Sequence, residues 1–110
     1  MIRPVTSSGR IDTGVVGAVF IGECYFHGAT LTPGTTASSV LLTDTNAFGA
    51  TSGTTIANLS QAANGKPISI NMANPVYCAL GISFSVSGTA SYAVVYYSPI
   101  AVGPAAQLEN

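Results

Sequence analysis

The chain has 110 residues with three basic and four acidic side chains, a formal net charge of -1, and 47% hydrophobic against 6% charged residues. An ordinary soluble domain carries about 25% charged residues, so acid–base catalysis, metal ligation and phosphate neutralisation each have few groups to draw on here. The length predicts one domain with one core, and the hydrophobic share excludes a disordered chain.

Arg3, Arg10 and Lys66 are the only cations, too few to supply the electrostatic affinity on which nucleic-acid binding depends. Gly14 to Ile21, the longest apolar-rich stretch, falls short of the ~20 apolar residues that a membrane-spanning helix needs. Met1-Ile2-Arg3-Pro4 runs straight into Thr6-Ser7-Ser8-Gly9 without the apolar segment of a secretion signal, which predicts synthesis in the cytoplasm. A near-zero charge on a mildly hydrophobic chain promotes self-association. An oligomer or a larger assembly is therefore expected.

Residues 1–14, punctuated by Pro4 and the Asp12-Thr13-Gly14 turn signal, predict an extended N-terminal arm. A β-domain over 15–98 opens with VVGAVFIG and continues through Glu23 to His27, where Cys24 and Phe26 alternate with Glu23, Tyr25 and His27. Successive strand side chains point to opposite faces, and the charge on Glu23 puts Cys24 and Phe26 on the core side. After the Pro33-Gly34 turn, Ser38 to Asp44 reads as a strand that is apolar on both faces at its centre and so needs cover on two sides. Thr45 to Gly53 is a loop, and Thr54 to Leu59 a strand with a blurred period. Leu59 to Ala63 has room for one helical turn; no segment sustains a helical apolar period.

Asn64-Gly65 marks a tight turn. Ile68, Ile70 and Met72 then alternate with Ser69 and Asn71 in a half-buried strand that Asn74-Pro75 breaks. Ile82, Phe84 and Val86 alternate with Ser83, Ser85 and Ser87, which predicts three apolar side chains on the core and three hydroxyls outside. The short turn at Ser87-Gly88-Thr89 predicts a hairpin between this strand and Tyr92 to Tyr97, itself apolar on both faces. Pro99 stops that strand, and residues 99–110 read as an extended C-terminal arm. Seven or eight short strands with turns between them predict an all-β, antiparallel sandwich or barrel.

Chemistry-bearing constellations are sparse. A Ser-His-Asp or Cys-His system would need His27, the single histidine, as its base, yet alternation sets Cys24 and His27 on opposite strand faces. Glu23 and Asp44 are the one conceivable carboxylate pair for sugar hydrolysis, and Asp44 stands where strand meets turn, where such a side chain commonly binds its own backbone. Cys24, His27 and Cys78 lack the spacing of a metal site. The two cysteines are expected as free core thiols, with a disulfide as the alternative should their strands pack together. No catalytic, metal or cofactor site is predicted. Tyr25, Tyr92 and Tyr97 are taken as interface residues, together with His27 at the rim and Arg3, Arg10 and Ile100 on the arms.

The run Cys24-x-Phe26-His27-Gly28-Ala29-x-Leu31-Thr32-x-Gly34, followed by Ala37-Ser38-Ser39-Val40-x-Leu42-x-Asp44, resembles small β-sandwich virion proteins of tailed bacteriophages. The similarity continues through Gly53-x-x-Ile56-Ala57-x-Leu59, Cys78-x-x-Gly81-Ile82 and Val94-Val95-Tyr96-Tyr97. It implies a jelly-roll-like sandwich and a non-enzymatic structural component of the virion. The role implied is a homotrimeric capsid decoration (cement) protein, bound to the major capsid protein or other virion subunits on the capsid surface. A tail, fibre or baseplate component with a receptor- or glycan-binding role is the alternative. Neither nucleic acid nor membrane is an expected partner.

Overall fold

Strands whose apolar residues recur at every second position pair into sheets with one greasy face, and two such faces close on each other to form a core. The computed structural model of the chain describes residues 5–14, 16–47 and 53–100. Nine antiparallel strands run through them: β1 (Thr6–Ser7), β2 (Ile11–Asp12), β3 (Val16–Ile21), β4 (Cys24–Thr32), β5 (Ser38–Asp44), β6 (Thr54–Gln61), β7 (Ile68–Cys78), β8 (Gly81–Ser87) and β9 (Tyr92–Pro99). One sheet has the order β1-β9-β4-β7, with β2 also on β9, and the other has the order β3-β8-β5-β6. From β2 onward the chain changes sheet at every connection except the β5–β6 hairpin. This is the connectivity of a jelly roll, and the predicted all-β antiparallel sandwich is the fold observed.

Phe26, Leu31, Leu42, Ile82, Val40 and Val95 are fully buried between the sheets. As expected, Cys24 and Phe26 face this core while Glu23, Tyr25 and His27 do not. Further along β4, however, the buried positions are Ala29 and Leu31, so the parity flips within one strand. The register explains it: Phe26 pairs with Tyr97 of β9 and Gly28 with Tyr96, leaving His27 as an extra residue. A bulge of this kind re-aims every side chain that follows. A second bulge accounts for the blurred period of β6, where Leu42 pairs with Ala57 and Thr43 with Thr55, so that Ile56 is the surplus residue.

Several local expectations are corrected. The β8–β9 hairpin does not form, because β8 is flanked by β3 and β5 in one sheet, and β9 by β1, β2 and β4 in the other. Gly88 and Ala90, both at positive φ, carry the chain across the core instead of folding it back. Ile82, Phe84 and Val86 thereby face Ala93 and Val95 from the opposite layer. Ser83 is not outside: it is fully buried, and its hydroxyl bonds the carbonyls of Thr45 and Ala47. Asn74-Pro75 does not end a strand; β7 runs on to Cys78, and the break appears as an unpaired stretch between Asn71 and Val76 in its ladder with β4. Leu59 to Gln61 belongs to β6 rather than to a helical turn.

Residues 5–14 are hydrogen-bonded into the five-stranded sheet. Thr6 and Ser7 pair with Tyr97 and Tyr96, and Ile11 and Asp12 with Ala93 and Tyr92. Ile11 is a core residue at 7% exposure. Arg3 and residues 101–110 lie outside the described residues.

Cys24 and Cys78 are direct cross-strand partners on β4 and β7, fully buried and unbridged. The Cys78 thiol is pushed well above its ordinary pKa by the Cys24 thiol beside it and by burial. Both thiols are closed off from solvent and must wait for the sandwich to open, so alkylation of the native protein at pH 8 is expected to run about 100-fold slower than that of an exposed thiol. Mass spectrometry should find both cysteines modified only after denaturation.

Candidate functional site

The outer face of the five-stranded sheet gathers the aromatic surface of this protein. Because Ala93 and Val95 of β9 point into the core, alternation turns Tyr92, Val94 and Tyr96 outward. Cross-strand register extends the set: Tyr25 of β4 lies opposite Tyr77 of β7, and Thr30 opposite Val94. Four of the five tyrosines, Tyr25, Tyr77, Tyr92 and Tyr96, therefore share one face, separated by Gly28 and the small side chains of Thr30 and Ser69. Tyr77 and Tyr96 are 49% and 36% exposed, and tyrosine is among the residue types enriched at protein interfaces.

Tyr25 and Tyr77 form a tilted aromatic pair with ring centroids 5.8 Å apart, a geometry favoured by the ring quadrupoles. The Tyr77 hydroxyl donates to the Glu23 carboxylate, and this bond raises the pKa of the phenol above its usual range. At the opposite corner, the Arg10 guanidinium stacks over the Tyr92 ring at 4.1 Å and its Nε bonds Asp12 at 2.6 Å. With side chains 62% and 58% exposed, that ion pair orients Arg10 more than it stabilises the fold. His27, displaced by its bulge, shares a 2.7 Å hydrogen bond with Ser98. The charges thus stand at the margins of the face, and its middle is aromatic, aliphatic and hydroxyl-bearing.

Of the residues singled out in the sequence, Arg10, Tyr25, His27 and Tyr92 are brought together here. Tyr97 points the other way, packing on the core and stacking at 5.7 Å against Phe20. Ile100 sits at the end of β9, where its N–H donates to the Glu23 carbonyl at 3.0 Å. Tyr77 and Tyr96 were missed, although a signal for Tyr77 was present: a core-facing Cys78 turns its neighbour outward. Tyr96 could not be assigned, because both sides of its strand are apolar.

Both carboxylates weighed for hydrolysis have other engagements. Among the described residues the Asp44 carboxylate bonds not its own turn but the N–H groups of Ala79, Leu80 and Gly81, which it accepts at 3.1, 2.9 and 3.2 Å, fixing the β7–β8 connection. Glu23 holds Tyr77. Cys24 and Cys78 lie inside the sandwich and His27 outside it, and among the described residues no three His, Cys, Asp or Glu side chains are grouped to hold a metal ion.

Compared with family models, with curated proteins and with solved structures, the chain matches none. What the tyrosine face can do follows from its chemistry. A flat surface of phenols and short side chains, free of central charge, can be covered by another protein at little desolvation cost, or can stack on a sugar ring.

Proposed function

We propose that this protein is a structural subunit of a tailed-bacteriophage virion, a trimeric capsid decoration protein that lies on the head and bridges major capsid subunits, with no enzymatic activity. The tyrosine face is the observation that supports this reading. Tyrosine offers large, stiff contact area with few rotamers to immobilise and a hydroxyl for the partner's backbone. At about 25 cal/mol per Å² of apolar area removed from water, modest contacts repeated by each copy of an oligomer add up to a firm hold on the shell. Such a subunit raises the free energy needed to pull capsid subunits apart, and it needs no catalytic group to do so.

The test is to mix purified protein with heads that lack it and to locate it by electron microscopy after sedimentation. Wild-type protein is expected on the head surface. Tyr96→Ala should cut occupancy by about tenfold, the loss typical of a central aromatic contact, whereas Ser85→Ala on the other sheet should bind normally. Protein found on tails, or on no part of the particle, overturns the assignment. A tail or fibre role is favoured by one detail of the same face: the exposed Tyr25–Tyr77 pair beside Glu23 offers a sugar both a stacking surface and a hydrogen-bond acceptor. Glycan-array binding that is lost in Tyr77→Ala would decide for that role.

A further inference from the structure

We infer that the free edge of β7 is a self-association site that takes β7 of a second copy of this chain, antiparallel, about a two-fold axis at Ile70. Sheet edges carry rows of unpaired N–H and C=O groups, and native proteins blunt them with short strands, charges or bulges. Three of the four edges in this sandwich are blunted in that way. The β1–β2 edge consists of two strands of two residues each, with Arg10 and Asp12 beside them. On the other sheet, β3 carries a bulge at Val19 and β6 one at Ile56.

β7 differs. Among the described residues it is paired on one side only, by β4, and at eleven residues it is the longest strand there. No side chain from Ile68 to Cys78 bears a charge. Its ladder with β4 is interrupted between Asn71 and Val76, which disfavours templating along that half. The segment Ile68-Ser69-Ile70-Asn71, whose ladder with β4 is unbroken, has no such protection, and Met72 follows it in the same strand.

The same segment names its occupant. Read in either direction from Ile70 it presents a polar residue, then an apolar one, so antiparallel pairing of two copies sets Ile68 opposite Met72 and Ser69 opposite Asn71. The half-buried Ile68, Ile70 and Met72, which lean on the core, then continue one apolar layer from copy to copy, while Ser69 and Asn71 meet on the tyrosine-bearing side. A slip by one residue would set apolar against polar side chains and turn one sandwich over relative to the other. The net charge of -1 offers no long-range repulsion against the approach.

This inference does not rest on the virion reading, and the two fail separately, because a two-fold contact cannot by itself close a trimer. The test is native mass spectrometry with light scattering on the full chain over a dilution series. Wild-type protein is expected to form dimers, or hexamers where a three-fold contact also forms. Ser69→Lys with Asn71→Lys alters two exposed positions and sets lysines opposite each other twice across the axis. It should weaken the dimer by about tenfold or more. Ser69→Lys with Asn71→Glu sets lysine opposite glutamate at the same two places and should restore it. Circular dichroism checks that both variants keep the β fold. Wild-type protein found only as monomer or trimer, a lysine pair that dissociates nothing, or a Lys/Glu variant that dissociates as readily as the Lys/Lys variant overturns the inference.

Discussion

Removing residues 1–13 is expected to lower the melting temperature by about 20 °C or more, or to abolish cooperative unfolding, rather than to trim a dispensable arm. Ile11 is buried in the core, and losing a side chain of that kind costs roughly 2–5 kcal/mol. The deletion also strips β9 of a partner. Ser8 donates its N–H to the Val95 carbonyl at 2.8 Å and accepts the Val95 N–H on its hydroxyl at 2.9 Å, and the Thr13 N–H bonds the Ser91 carbonyl at 3.1 Å. With each buried backbone bond worth about 1 kcal/mol, the total reaches about 5 kcal/mol, the lower end of a small domain's whole stability. Thermal unfolding followed by circular dichroism checks this. An unchanged melting temperature would show that β1 and β2 contribute nothing to the fold. Any role of these residues in particle binding is accordingly tested with Arg10→Ala, which removes a half-exposed cation and leaves Ile11 in place.

Gly81→Ala is expected to destabilise by about 3–5 kcal/mol, a fall of about 15 °C in melting temperature for a domain of this size. Gly81 opens β8 at φ +144°, where an added Cβ would stand 2.4 Å from the Phe20 carbonyl oxygen and 3.1 Å from the Ile21 Cα. Both are backbone atoms of the neighbouring strand, so no rotamer change relieves the overlap. Nor can the turn move freely: the Asp44 carboxylate holds three of its N–H groups, and the Gly22 N–H bonds the Leu80 carbonyl at 2.9 Å. Gly9→Ala supplies the comparison, since Gly9 has φ +75° with nothing within 4 Å of its added Cβ. It should cost only about 1 kcal/mol, the backbone part alone. Equal losses in the two variants would refute the packing argument.

Much of the candidate site was legible in the residues. Tyr25 and His27 could be set outside because Cys24, Phe26 and the charge of Glu23 orient their strand, whereas the outward side of the strand that carries Tyr92 is fixed only by the burial of Ala93 and Val95. The joining of Arg10 to Tyr92 was not legible, since it depends on β2 pairing with β9 across some eighty residues of chain. The inward turn of Tyr97 escaped for a different reason. With Tyr92 to Tyr97 apolar on both sides, local pattern supplies no preference, and the stacking of Phe20 from the other sheet decides it.

The amino-acid sequence by itself determined that this chain makes strands, roughly where they lie, and which side of the regular ones faces inward, because alternation is a local property that burial of one face reads out directly. Only the tertiary structure decided which strands are neighbours. The β8 and β9 segments are joined by a short link that suits a hairpin, yet β8 pairs with β3 and β5 and β9 with β1, β2 and β4, and their apolar sides meet across the core instead. The bulges at His27 and Ile56 belong to the same class of fact, since an extra residue is defined only against the partner strand it exceeds. Pairing is settled by what covers both faces of every sheet at once, a condition on the whole chain that no short window contains.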